Sequence, residues 1–330
     1  MRSLRFFFLL TSLSALFFSC NKELNVNADW QDITVVYSLL DRQDTLHYFK
    51  ITKAFLGPGD ALQFAKIADS SNYADSLDVT LEAWDGTVLK NTYIAFDTII
   101  ENKEAGDSIF YYPYQRMYCT RAILNQDYTY KLFIRNKKTG KEITSVTQLV
   151  HDFSIEKPMG FMVGYIPGKN SEVKWMTAKA GKRYQLTIRF HYAESPKSDP
   201  SKIEMKFIDW IVFNDQRSFT TEGGAQMDFY FPGDAFYMVL RTKILVNPDV
   251  NRAARHVDYI FSVAGEDLNT YMEVTEPSLT IVQERPSFTN IVNGIGLFST
   301  RFEKVKDSLL LNQNTLTELK VNPFTSDLGF

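Results

Sequence analysis

The chain is expected to be mainly β, a β-sandwich followed by a second β-rich domain with a few short helices. Three observations predict this. Short stretches of alternating apolar and polar residues recur along most of the sequence. Turn residues separate them at hairpin spacing, as in Asp85-Gly86 and Lys137-Lys138-Thr139-Gly140. Hydrophobic residues make up 45% and aromatic residues 14% of the 330, which is enough to fill packed cores without a disulfide framework.

The first strand is predicted over 33–40, a β-branched and aromatic run, and Asp41-Arg42-Gln43-Asp44 forms its turn. The alternating stretch 46–52 pairs with it as a hairpin. Gly57-Pro58-Gly59 ends that strand, and 60–68 offers one or two helical turns with Asp60 as cap. In 77–84, Leu77, Val79, Leu81 and Ala83 share one face. Asp85-Gly86 turns the chain into 87–96, because glycine takes positive φ without steric cost. Further strands are expected over 110–118, 128–134 and 142–150. Leu124 followed six residues later by Tyr130, and then by alternating apolar residues, resembles the tyrosine corner of immunoglobulin- and fibronectin-like sandwiches. Tyr130 is the residue whose phenol would bond the corner backbone.

The remainder reads as a second unit. Strands are expected over 161–166, 173–177, 184–192, 203–213 and 258–263. Tyr184, Leu186, Ile188, Phe190 and Tyr192 alternate with Gln185, Thr187, Arg189 and His191, which marks a sheet with one wet face. Helices are expected over 235–245, capped by Asp234, and over 266–274. A third is expected over 313–319, started by Asn314 or Thr315, with Glu318 completing a capping box. The expected organisation is a signal peptide over 1–19, a polar tether over 20–29, an immunoglobulin-like sandwich over 30–152 and a β-rich domain over 153–330.

The amino terminus has the form of a bacterial lipoprotein signal. Arg2 and Arg5 precede a mostly apolar run over 6–18, Ser19 is small, and Cys20 follows at the cleavage position. A run this short is a secretory segment and not a span, which needs roughly 20 apolar residues. The chain would then begin at a lipid-modified Cys20 and hang from the membrane by its acyl chains. Removing 1–19 takes away two arginines and no acid, which moves the net charge from −3 to −5. An acidic balance without Lys/Arg blocks excludes nucleic acid as the expected partner. It also leaves anchoring to the lipid rather than to electrostatics. Localisation at the outer membrane, on its periplasmic or surface side, follows from this reading.

Motifs for chemistry are sparse. The four histidines, at 47, 151, 191 and 256, show no metal-ligand spacing, and no H-E-x-x-H, G-x-S-x-G or Walker-type loop occurs. No cofactor and no metal is expected, and no catalytic residue is assigned. His191 with Glu194, and His256 with Asp258, are the nearest His–carboxylate neighbours and read as solvated pairs. Asn247, Asp249 and Asn251 imitate the start of a calcium loop but lack its glycine. Cys119, the one cysteine besides Cys20, reads as a small apolar core residue. Trp84, Trp175 and Trp210 lie in strand patterns and read as core. Tyr111, Tyr112 and Tyr114 form the candidate contact patch, able to stack on a glycan or anchor a protein, or else to fill a sandwich core.

The run 35–40, the 77–86 hairpin and the strand over 128–134 resemble a Bacteroidota lipoprotein family grouped under a domain of unknown function. The segment 265–272 and the later Asn290-Ile291-Val292-Asn293-Gly294-Ile295-Gly296-Leu297-Phe298 are similar to that family as well. The resemblance implies an immunoglobulin-like domain ahead of a larger β-rich one. It also implies gene neighbours that encode TonB-dependent outer-membrane receptors. The function expected is a lipid-anchored binding protein that is accessory to, or a partner of, a TonB-dependent uptake or assembly system. A glycan-binding surface lipoprotein and a surface hydrolase are the two alternatives. A Cys20→Ala variant is expected to leave the membrane pellet for the soluble fraction; if it sediments unchanged, the lipid anchor is refuted.

Overall fold

In the computed structural model, residues 31–56, 72–73, 76–101, 115–276 and 287–330 are described. Alternation in the first half yields β1 (Gln31–Leu40), β2 (Leu46–Leu56), β3 (Leu77–Asp85), β4 (Val88–Ile100), β5 (Gln115–Arg121), β6 (Thr129–Asn136) and β7 (Glu142–Gln148). β1 pairs with β2 and β2 with β5, while β3 lies between β4 and β6, and β7 borders β6. This is the pairing of an immunoglobulin-like sandwich. β4 serves both sides, through 88–95 on β3 and 96–100 on β5. Leu77, Val79, Leu81 and Ala83 all point inward and meet Phe49, Ile51, Leu132 and Ile134. The β3–β4 turn is centred on Gly86 and Thr87, one residue later than the Asp85-Gly86 reading. Gly86 holds φ +59 at the first central position, where glycine is needed.

Tyr130 is fully buried. Its hydroxyl accepts the Asn125 N–H at 2.7 Å and donates to the Asn125 carbonyl at 3.1 Å. The phenol thus bonds both backbone groups of Asn125, whose carbonyl also accepts the Tyr128 N–H at 3.2 Å, as the leucine–tyrosine spacing predicts. Burial pushes the phenol well above its ordinary pKa, so it remains a neutral donor.

The second half has β8 (Ile155–Lys157), β9 (Met162–Val163), β10 (Asn170–Met176), β11 (Arg183–Pro196), β12 (Glu204–Arg217), β13 (Gln226–Pro232), β14 (Val250–Ala264) and β15 (Ile295–Leu311). β12, β11, β14 and β15 extend the large sheet, and β13-β10-β8 forms a separate three-stranded one. Residues from both sheets enclose the second core. Trp175 of β10 stacks on Phe213 of β12, with centroids 5.4 Å apart and planes 19° apart. Tyr184, Leu186, Ile188, Phe190 and Tyr192 are all buried in this core, as their alternation requires.

Three helices complete the described fold. α1 (Asp234–Lys243) is preceded by Gly233 as cap, not Asp234, whose carboxylate instead accepts the Gly168 N–H at 2.7 Å. α2 is Glu266–Thr275, and α3 is Gln313–Val321. The cap of α3 is Asn312, which accepts from the Thr315 N–H at 2.9 Å, so that helix starts before the expected Asn314 or Thr315. The helix expected over 60–68 lies outside the described residues. Among the described residues, no helix is long and apolar enough to cross a membrane.

β8, β13 and β15 are strands where the sequence pattern predicts none. β15 joins the two halves. Its residues 295–300 run parallel to β1, and 301–310 run antiparallel to β14. Phe298 is therefore buried in the first core and Phe302, four residues on and on the same face, in the second. The first core draws mainly on residues 36–149 and the second on residues 150–328. Ile291 and Phe298 nevertheless return to the first, and Val150 packs in the second.

The 290–298 segment owes its composition to this insertion. The Asn290 amide donates to the Phe298 carbonyl at 2.7 Å and accepts the Phe298 N–H at 3.0 Å, closing the loop on itself. Gly296 has φ +117, and a Cβ there would sit 2.0 Å from the Val36 carbonyl oxygen. Gly296→Ala is expected to lower unfolding free energy by about 2–4 kcal/mol in denaturant titration, because strain and backbone overlap add. Tyr130→Phe is expected to cost about 1–2 kcal/mol by loss of the corner bonds. An unchanged midpoint in either variant contradicts the corresponding role.

Candidate functional site

Strands β1, β2, β4 and β5 turn one face to the first core and the other outward. Val36, Phe49, Tyr118 and Ala95 point inward. Their neighbours Tyr37, Leu39, Tyr48, Ile94 and Phe96 point outward and are exposed. An outward sheet face normally carries polar residues. Here an apolar row crosses four strands, and register aligns it: Tyr48 is opposite Cys119, and Cys119 is opposite Phe96.

Two shallow grooves run along this face and share Leu46 and Tyr48. One, of about 440 Å³, lies between Tyr37, Leu39 and Tyr48 on the strands and Leu268 and Tyr271 on α2. The other, of about 640 Å³, is lined by Tyr48, Ile94, Phe96 and Cys119. At the α2 end, Tyr271 meets Tyr37 edge-on, with centroids 6.1 Å apart. The neighbouring Tyr271 hydroxyl and partial burial push the Tyr37 phenol up to about 12. α2 is held in place by the Leu268 N–H, which donates to Ser299 Oγ at 3.2 Å. Asp267 also accepts the Asn290 amide, at 2.8 Å. Burial raises the pKa of that Asp267 carboxyl above the ordinary range.

Cys119 is half-buried in this outer row and not in the core, because Tyr118 and Thr120 occupy the inward positions of β5. Trp175 is core and Trp210 packs against it, whereas Trp84 faces outward. The Trp84 Nε1–H donates to Glu82 Oε2 at 2.8 Å, and Lys131 covers its ring. Cys20, Tyr111, Tyr112 and Tyr114 lie outside the described residues.

The His–carboxylate pairs are arranged differently from their order in sequence. His191 and Glu194 are an odd number of residues apart on β11 and project to opposite faces. Glu194 binds Lys206 at 2.6 Å and Arg252 at 2.8 Å. Burial opposes its charge, yet the two cations hold its carboxyl below the usual range. His191 Nε2 instead meets Asp258 Oδ2 at 2.8 Å, across the β11–β14 pairing. Asn247 Oδ1 accepts the Asp249 N–H at 2.9 Å in a turn, and Asn251 already belongs to β14, so the three do not form a loop around a cation.

The outer apolar row is readable in retrospect. Residues 33–40 contain Ile33, Val35, Tyr37 and Leu39 as well as Val36 and Leu40, so β1 is apolar on both faces. Neither a protein-family model nor a curated protein matches the chain.

Proposed function

We propose that this chain is a lipid-anchored envelope binding protein, a partner or accessory of an outer-membrane TonB-dependent uptake or assembly system. It docks that partner through the outward face of β1, β2, β5 and β4. The observation that carries the reading is the exposed row Tyr37, Leu39, Tyr48, Phe96 and Ile94. Contiguous apolar surface of this kind is costly in water unless something covers it. Tyrosines and a phenylalanine at its centre are the residue types that anchor protein interfaces. Polar groups such as Thr92, Thr98 and Arg121 border the row, and its centre at Tyr48, Cys119 and Phe96 is apolar and aromatic, which suits a protein partner. The lipoprotein signal ending at Cys20 supports the envelope location, and the resemblance to Bacteroidota lipoproteins supports the class of partner.

Once Cys20 carries lipid, Cys119 is the one remaining cysteine and sits within the row. A photo-crosslinker attached to Cys119 in the membrane-anchored protein is expected to capture a TonB-dependent receptor. Tyr48→Glu and Phe96→Glu should each reduce that capture at least tenfold, as central interface positions do. Their unfolding midpoints should stay within about 0.5 kcal/mol of the parent, as expected at exposed sites. Capture of no outer-membrane protein, or capture indifferent to both substitutions, rejects the reading.

A further inference from the structure

His191, His256 and Asp258 converge on the outer face of the second half, on the side of the sheet away from its core. His256 and Asp258 are two apart on β14 and therefore share a face, while His191 reaches them from β11. Two register breaks bring this about. Phe190 pairs with Val257, but Tyr192 pairs with Ala254, so Arg255 and His256 together oppose His191. On the other side, the β14–β15 register breaks between Val257 and Tyr259, near Ser308, which adopts φ 56. Irregularities of this kind re-aim side chains and gather at functional positions.

One potential ligand atom from each of the three residues lies within 4.8 Å of the other two. The Ser308 N–H donates to Asp258 Oδ1 at 2.8 Å and orients the carboxylate, leaving Oδ2 facing His191 Nε2. The two imidazoles lie face to face, 4.3 Å between centroids and 19° between planes. Phe207 stands beside His191, and Arg189 lies over the Phe207 ring while its guanidinium is taken up by Asp209. The Arg189 guanidinium is thus bonded to Asp209 and not to Asp258. Side-chain exposures of 23% for His191, 31% for His256 and 15% for Asp258 make the group reachable yet constrained.

We propose that His191, His256 and Asp258 form a binding site for a divalent transition-metal ion of the zinc type. Two imidazoles and one carboxylate match the ligand preference of such an ion, whereas magnesium and calcium prefer oxygen alone. Three protein ligands leave a coordination position open toward solvent for water or a partner's donor atom. Because the rings are nearly parallel, His256, the more exposed, turns so that its nitrogen joins His191 Nε2 and Asp258 Oδ2. The Ser308 N–H serves as the outer support that holds the carboxylate ligand in orientation.

The test is zinc titration of the full-length, untagged, chelator-stripped protein in detergent against a chromophoric competitor. One zinc ion per chain is expected. His191→Ala, His256→Ala and Asp258→Asn should each weaken binding at least about tenfold, the loss typical of a disturbed metal shell. Zinc should also raise the thermal midpoint of the parent but not that of His256→Ala, whose exposed position leaves folding intact. Magnesium or calcium in excess should not displace zinc. No zinc retained, equal affinity in parent and His256→Ala, or displacement by calcium identifies a hydrogen-bonded His–Asp pair only and overturns the proposal.

Discussion

The structure depends on β15 passing through both cores as one strand. Its first six residues complete the amino-terminal sandwich beside β1, and the next ten extend the carboxyl-terminal sheet beside β14. Thr300 marks the passage. Its hydroxyl donates to the Leu40 carbonyl at 3.1 Å and accepts the Val150 N–H, and its own carbonyl accepts the Gly265 N–H at 3.0 Å. Period-two geometry then places Phe298 and Phe302 on one face, one in each core. A strand shared in this way couples the two halves mechanically, since neither core can lose it without opening the other.

That constraint explains features that look unrelated along the chain. Parallel pairing of β1 with β15 requires the backbones to approach closely, which Gly294 and Gly296 permit against the Thr34 and Val36 carbonyls. The Asn290 side chain bonds both backbone groups of Phe298, and its second amide bond reaches Asp267. α2 is thereby fixed over Leu297 and forms one wall of the Tyr37 groove. The same insertion that completes the first core therefore also shapes the end of the exposed apolar row.

Energetically, the two candidate surfaces differ in kind. The row on β1, β2, β5 and β4 offers area and shape, with aromatic anchors at its centre. Gain from covering it comes from apolar burial, which is non-directional and suits a large partner. The cluster on β11 and β14 offers few atoms with defined lone pairs, arranged by register breaks rather than by regular pairing. Both surfaces face outward from the same large sheet, one in each half.

Much of the fold was legible in the amino-acid order. Alternation identified the inward faces of β3 and β11, and the leucine–tyrosine spacing located the corner at Tyr130. Apolar residues four apart marked the buried side of α1, where Phe236, Leu240 and Ile244 are all inside. These are local patterns, set by strand and helix geometry. β15 was not legible, since it opens on glycines, carries Arg301, Glu303, Lys304 and Lys306, and has partners in distant parts of the chain. Nor was the outward turn of Cys119, because β5 mixes polar and apolar residues on both faces, so its pattern does not say which one is covered. His191 with Asp258 lay beyond reach for a related reason. They are 67 residues apart, and only the slipped pairing of β11 with β14 brings them to 2.8 Å. Sequence by itself determined the element types and their buried faces; tertiary structure alone decided which distant strands share a core and which side chains meet, because those depend on register between strands.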